Sequence, residues 1–116
     1  MENRRHLIRL NVGDFLEILP LNEVGKVYAG KAKDLTTMGI CFSSHAEWTK
    51  GQVLALDYFI PQELDSVKLK AIVVWSELID SENGYFCGVE ITEVEESKQE
   101  IFTNYYFKKL QEQYPK

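Results

Sequence analysis

The stretch "SVKLKAIVVWSELIDSENGYFCGVEITEV", residues 66–94, decides the fold. Its first half places Val67, Leu69, Ala71, Val73 and Trp75 on one face. That period of two is the mark of a strand with one buried side. The second half, "GYFCGVEITEV" (84–94), repeats the pattern with Tyr85, Cys87, Val89 and Ile91. Between the halves, Asn83-Gly84 signals a tight hairpin turn that needs a positive φ.

Outward from this hairpin the chain reads as more short strands. "GQVLALDYFIP" (51–61) is stopped by Pro61, and "MGICFSS" (38–44) precedes it. "GKVYAGKAKDL" (25–35) has a loose period of two, with Gly30 as a bulge or a close approach. "NVGDFLEILPL" (11–21) alternates roughly and ends at Pro20. Downstream the period changes. In "SKQEIFTNYYFKKLQEQ" (97–113), Ser97 and Glu100 have capping-box spacing. Ile101, Phe102, Tyr105, Tyr106 and Leu110 then recur at helical intervals, and Pro115 ends the run. Six strands followed by one amphipathic helix predict an all-β fold, a small antiparallel barrel or sandwich with a C-terminal helix packed on it.

The 116 residues suffice for one domain, and 45% hydrophobic with 27% charged residues is an ordinary globular composition. The expected division of residues 1–116 is an arginine-bearing segment 1–10, a barrel 11–94 and a helix 97–113. The longest apolar run is the five-residue "AIVVW", far short of the ~20 needed to span a bilayer. The start is charged from Glu2 to Arg9, unlike a signal peptide. Cys41 and Cys87, far apart in apolar stretches, read as small buried residues of a reduced compartment, with a single disulfide left open. The cytoplasm is the expected location. A net charge of −5 opposes binding to a nucleic-acid polymer, whose phosphates call for a basic surface. It leaves room for a local basic site, since contacts are decided within about one Debye length, ~8 Å.

Catalytic signatures are missing from the sequence. It has no phosphate-cradling glycine loop followed by Lys-Ser/Thr, no G-x-S-x-G and no H-E-x-x-H. His6 and His45 have no Cys or carboxylate at metal-ligand spacing. Glu93, Glu95 and Glu96 read as a solvated acidic lead into the helix. The chain is expected to be no enzyme and to carry no metal or cofactor.

Two segments carry the chemistry. "RRHLIRL" (4–10) gathers Arg4, Arg5, His6 and Arg9 in an acidic chain. It is either a solvated tail or half of an anion clamp. "DLTTMG" (34–39) is either a hairpin turn, with Asp and Thr bonding their own backbone and Gly39 in an unusual dihedral, or the other half. A carboxylate such as Asp34 accepts two parallel bonds from the Watson–Crick edge of guanine. The Thr36 hydroxyl can bond a base or phosphate oxygen, and Gly39 lets a flat ligand approach the backbone. An arginine fork takes guanine O6 and N7, pairs with phosphate or stacks on a purine. Together the halves fit a ligand bearing both guanine and phosphate.

Arg5-x-x-x-Arg9 followed by Asp34-x-Thr36-x-x-Gly39 resembles the paired signature of the PilZ domain, R-x-x-x-R and D/N-x-S-x-x-G. "VVW", the hairpin and "YFCGVEI" resemble that family's last two barrel strands, so the likeness spans roughly residues 4–113. Thr36 departs from the usual serine: it keeps the hydroxyl and adds a methyl group. The resemblance implies a bacterial six-stranded antiparallel barrel that binds the second messenger cyclic di-GMP. Arg5 and Arg9 would lie on phosphate and guanine, and Asp34, Thr36 and Gly39 around a guanine. Arg4 adds a third guanidinium, and a basic residue there goes, within the family, with capture of two stacked ligands. Trp75 falls where some members bring an aromatic near the ligand; otherwise it is a core or barrel-mouth residue on the Val73 face. The implied function is a cytosolic receptor whose arginine segment orders on the ligand and signals to an effector protein. The pathway stays open among motility, pili, polysaccharide export and transcription. The alternatives are an interaction module of the same fold that binds no nucleotide, and an oligonucleotide-binding barrel, which the acidic balance opposes.

Overall fold

Alternating apolar residues dominate the computed structural model, which describes residues 8–63 and 65–115. The strands are β1 (Leu10–Asn11), β2 (Phe15–Pro20), β3 (Tyr28–Leu35), β4 (Gly39–Ser44), β5 (Val53–Ile60), β6 (Asp65–Asp80) and β7 (Gly84–Val94). One helix, α1 (Gln99–Gln113), follows. All pairings are antiparallel, in the order β3-β2-β5-β6-β7-β4, and β4 pairs back onto β3. The six strands thus close into a barrel, the form that the resemblance implied and one of the two that the alternation allowed. Closure leaves the inward residues a common interior: Leu16, Ile18, Phe42, Leu54, Leu56, Val67, Ala71 and Cys87 are all essentially inaccessible.

The first strand is one strand bent in two. β1 and β2 lie along the same edge of β3, Leu10 opposite Leu35 and Phe15 opposite Lys31. Between them Val12 N–H donates to Lys33 O, and Ala32 N–H to Asp14 O. At this bend the Asp14 carboxylate accepts hydrogen bonds from the hydroxyls of Tyr58 on β5 (2.7 Å) and Tyr105 on α1. Leu10, assigned by sequence to the loose arginine segment, is fully buried, so the barrel begins there.

The helix buries Phe102, Tyr105 and Tyr106, with Ile101 and Leu110 partly buried, which is the face the spacing predicted. Its start differs. Ser97 lies inside a 3₁₀ turn, Glu96–Lys98, and α1 begins at Gln99 with no side-chain cap. The extra tight turn supplies backbone bonds that a capping box would otherwise provide, and Lys98 Nζ ties it to Asp65 (2.7 Å) and Ser66 O (3.0 Å). At the other hairpin, Gly84 has the expected positive φ of 82°. The Asp80 carboxylate holds that turn by accepting bonds from the backbone N–H groups of Glu82 and Asn83.

Both cysteines are free and buried, and desolvation pushes their thiols up, Cys41 to about 11 and Cys87 to about 12. No described helix is long and apolar enough to cross a membrane. Among the described residues no cluster of His, Cys, Asp and Glu could hold a metal ion.

Candidate functional site

Two β-bulges build the site. Regular alternation from Ala32, which faces the core, would turn Asp34 inward as well. The pairing slips by one residue between Ala32 and Asp34, and Lys33 is the extra residue. Asp34 therefore faces outward and Leu35 inward. The same happens on β6. Val73 pairs with Val89, the next partner across β7 is Gly88 with Trp75, and Val74 is extra. Trp75 is thus turned out of the barrel and is 41% exposed. This corrects the sequence reading that put it on the Val73 face. A bulge re-aims a side chain and reverses the facing of the residues that follow it.

The outward residues form a single row across five strands. Asn11 pairs with Asp34, Asp34 with Cys41, Cys41 with Gly88, and Gly88 with Trp75. Above this row lies a cleft of about 230 Å³ lined by Arg9, Gly39, Cys41, Trp75, Gly88 and neighbouring backbone. Arg9 enters from the N-terminal side, its Nη1 donating to Asp34 Oδ1 at 2.8 Å across 25 residues of sequence. The arginine is 55% exposed and the carboxylate 18%. An ion pair so exposed contributes roughly 0.2–1 kcal/mol, too little to lock the cleft shut. The negative charge of Asp34 adds to the burial that raises the Cys41 thiol. On the next outward row, Lys33 Nζ stands 4.6 Å from the centre of the Phe86 ring.

The remaining motif residues shape the turn beside the cleft. Thr36 is 2% exposed, and its Oγ1 accepts bonds from the N–H groups of Met38 and Gly39, both at 3.0 Å. Its own N–H donates to Gly39 O at 2.9 Å. The hydroxyl is therefore engaged with backbone here, as the turn reading of "DLTTMG" expected. Asp34 is not: it pairs with Arg9 instead of its own backbone. Gly39 has no positive φ, so the unusual dihedral of that reading is not what calls for glycine. A side chain there would come within 2.9 Å of Val89 O, so close approach of β7 is what requires glycine.

The structure thus brings Arg9, Gly39 and Trp75 to one cleft, with Asp34 held on Arg9 and Thr36 bonded to Gly39 in the adjoining turn. Arg4 and Arg5 lie outside the described residues. Cys41 and Gly88 were missed in the sequence. Cys41 carries no signal that separates it from a core residue. Gly88 does: a glycine inside an otherwise well-formed strand marks close approach.

The chain's sequence matches the PilZ domain family over residues 3–108. It belongs to the PilZ domain family. PilZ domains are known as ligand-binding receptor domains. Two solved structures have the same fold. The inhibitor of motility of Bacillus subtilis (MotI/DgrA) matches with a TM-score of 0.76 and 16% identity, covering 97% of this chain and 54% of that one. This chain therefore spans about half the length of the Bacillus protein. The PilZ domain of YcgR from Escherichia coli, solved with c-di-GMP, matches with a TM-score of 0.70 and 13% identity, over 95% of this chain and 94% of that one. No curated protein sequence matches this PilZ chain.

Proposed function

We propose that this PilZ domain is a cytosolic receptor for cyclic di-GMP that takes its ligand on the outer row between the two bulges. One observation carries the reading: the two halves of the signature, far apart in sequence, meet at the 2.8 Å Arg9–Asp34 contact, beside a cleft that Arg9 and Trp75 line. In this reading Asp34 accepts from the guanine edge, Arg9 moves from Asp34 to guanine or phosphate, and Trp75 presents its ring to a base. Thr36 acts through the turn that holds Gly39 open. At about 230 Å³ the cleft is smaller than the roughly 300–1,000 Å³ of sites that enclose a small molecule. In this reading it accommodates part of the ligand, and Arg4 and Arg5 contact the rest. The ligand exchanges one exposed ion pair for charge-assisted bonds worth about 1.5–3 kcal/mol each, so the exchange favours binding. Drawing the arginine segment onto the barrel is a local change that an effector protein can read.

A second reading, an interaction module that binds no nucleotide, is favoured by two facts. The Thr36 hydroxyl is buried in its turn, and Arg9 and Asp34 already satisfy each other. Isothermal titration with cyclic di-GMP, beside a linear GMP dimer and single-stranded RNA, separates the readings. Saturable binding of the cyclic dinucleotide alone is expected. Heat from none of the three ligands removes the receptor reading and leaves the interaction module standing.

A further inference from the structure

Trp75 and Gly88 face each other across β6 and β7. Directly opposed residues in an antiparallel pair have Cβ atoms about 4.5–5.5 Å apart, so their side chains normally stand side by side. Here the indole does something else. It lies over Gly88: a methyl group built on that glycine would overlap Nε1 and Cε2 and stand 2.7 Å from Cδ1. The space a side chain would fill is filled by the ring of the neighbouring strand. Further along the same row, Cys41 is the other partner of Gly88, and Asp34 the partner of Cys41. Leaning across β7 therefore carries the indole toward the Arg9–Asp34 pair, and Trp75 and Gly88 both line that cleft.

We propose that Gly88 is the positioning residue of the cleft: by having no side chain it lets Trp75 lie across β7, where the ring becomes the wall against which a base stacks. The bulge at Val74 brings Trp75 outside, and Gly88 sets which way it leans. Any side chain at 88 pushes the indole upright, away from the sheet, which widens the cleft and removes its flat wall. This rests on the receptor reading above. An aromatic ring covering a strand glycine also shields the backbone and steadies the sheet. Stability alone would not separate the two roles, but ligand binding does.

The test is a double-mutant cycle on the full chain with Gly88→Ala, Trp75→Ala and both together, read by cyclic di-GMP titration and by acrylamide quenching of tryptophan emission without ligand. Trp48, the other tryptophan, is 3% exposed and donates to Ser44 Oγ, so quenching reports mainly Trp75. Loss of a base–aromatic stack at Trp75→Ala should raise Kd between about five- and a hundredfold. Gly88→Ala should raise it by a similar factor and should increase acrylamide quenching. The double variant, in which nothing overlaps the new methyl group, should bind within about twofold of Trp75→Ala and melt with it. Should Gly88→Ala alone fold poorly, recovery of folding in the double variant still shows that the indole is what the methyl group displaces. Parent-like quenching and binding in Gly88→Ala overturns the proposal. So does an equal loss of affinity from Gly88→Ala with and without Trp75. A parent chain that binds no cyclic di-GMP overturns the receptor reading instead, and Trp75's contact to a base with it. The ligand-free quenching then still decides whether Gly88 seats the indole.

Discussion

Arg9 and Asp34 do two things that separate cleanly in energy. As an exposed pair they contribute little to folding, so Arg9→Ala should shift Tm by less than about 5 °C. As ligand contacts each is worth far more. Loss of the charge-assisted bonds of Arg9, or of Arg5, should weaken cyclic di-GMP by about one to two decades in Kd, from roughly 1.5–3 kcal/mol. Normal binding by Arg9→Ala in titration calorimetry would remove the clamp. Asp34 should behave differently from the arginines. In the receptor reading its carboxylate reads a base edge, so Asp34→Ala should hurt cyclic di-GMP more than an analogue lacking the guanine exocyclic amine. Its effect should also depend less on salt than that of Arg9→Ala. Equal losses for the two ligands would assign Asp34 to pairing with Arg9 alone.

At the scale of elements, the hitch between barrel and helix is the feature that hydrophobic spacing could not reveal. Tyr58 and Tyr105 both donate to Asp14, and burial, reinforced by that hydrogen bond and charge, raises both phenols above their usual value near 10. In the unfolded chain the same groups ionise at about 10. The stability they contribute is therefore fully present below about pH 10 and is lost as pH rises beyond it, because the unfolded chain releases those protons first. Urea unfolding of the parent should weaken steeply above pH 10, and a Tyr58→Phe, Tyr105→Phe variant should lose less over the same interval. Identical pH slopes would mean that these phenols do not titrate differently in the two states. Strand number, helix face and hairpin were legible because each rests on local periodicity or turn chemistry: Val67 to Val73, Ile101 to Leu110, Asn83-Gly84. The placement of Asp34 and Trp75 was not. Each faces outward because one residue, Lys33 or Val74, slips the register, and a slip depends on the partner strand. Ser97 and Glu100 had the right spacing for a cap, but Lys98 anchors the preceding turn to β6.

For the molecule as a whole, the net charge has the same sign as the proposed ligand. A chain of charge −5 repels an anionic ligand at long range, so capture depends on guanidinium groups within a Debye length of the cleft. That sets how many ligands can be held. Two stacked cyclic dinucleotides bring four phosphates together, and their mutual repulsion calls for more positive charge than Arg5 and Arg9 supply. Arg4, adjacent to Arg5 in sequence, is the available third guanidinium, and its planar group can also stack on an exposed guanine. Helix α1 holds the backbone around Arg9. Tyr106 donates to Ile8 O at 2.6 Å and Gln113 to Asn11 O at 2.7 Å, on either side of Arg9. Arg5 and Arg4 are the fourth and fifth residues before Arg9 in the sequence, and the receptor reading assigns them the remaining contacts to the ligand. Titration calorimetry at protein concentrations well above Kd should therefore give about two ligands per chain for the parent and about one for Arg4→Leu. A parent ratio of one would take the second ligand from Arg4 and leave the roles of Arg5, Arg9 and Asp34 as they stand.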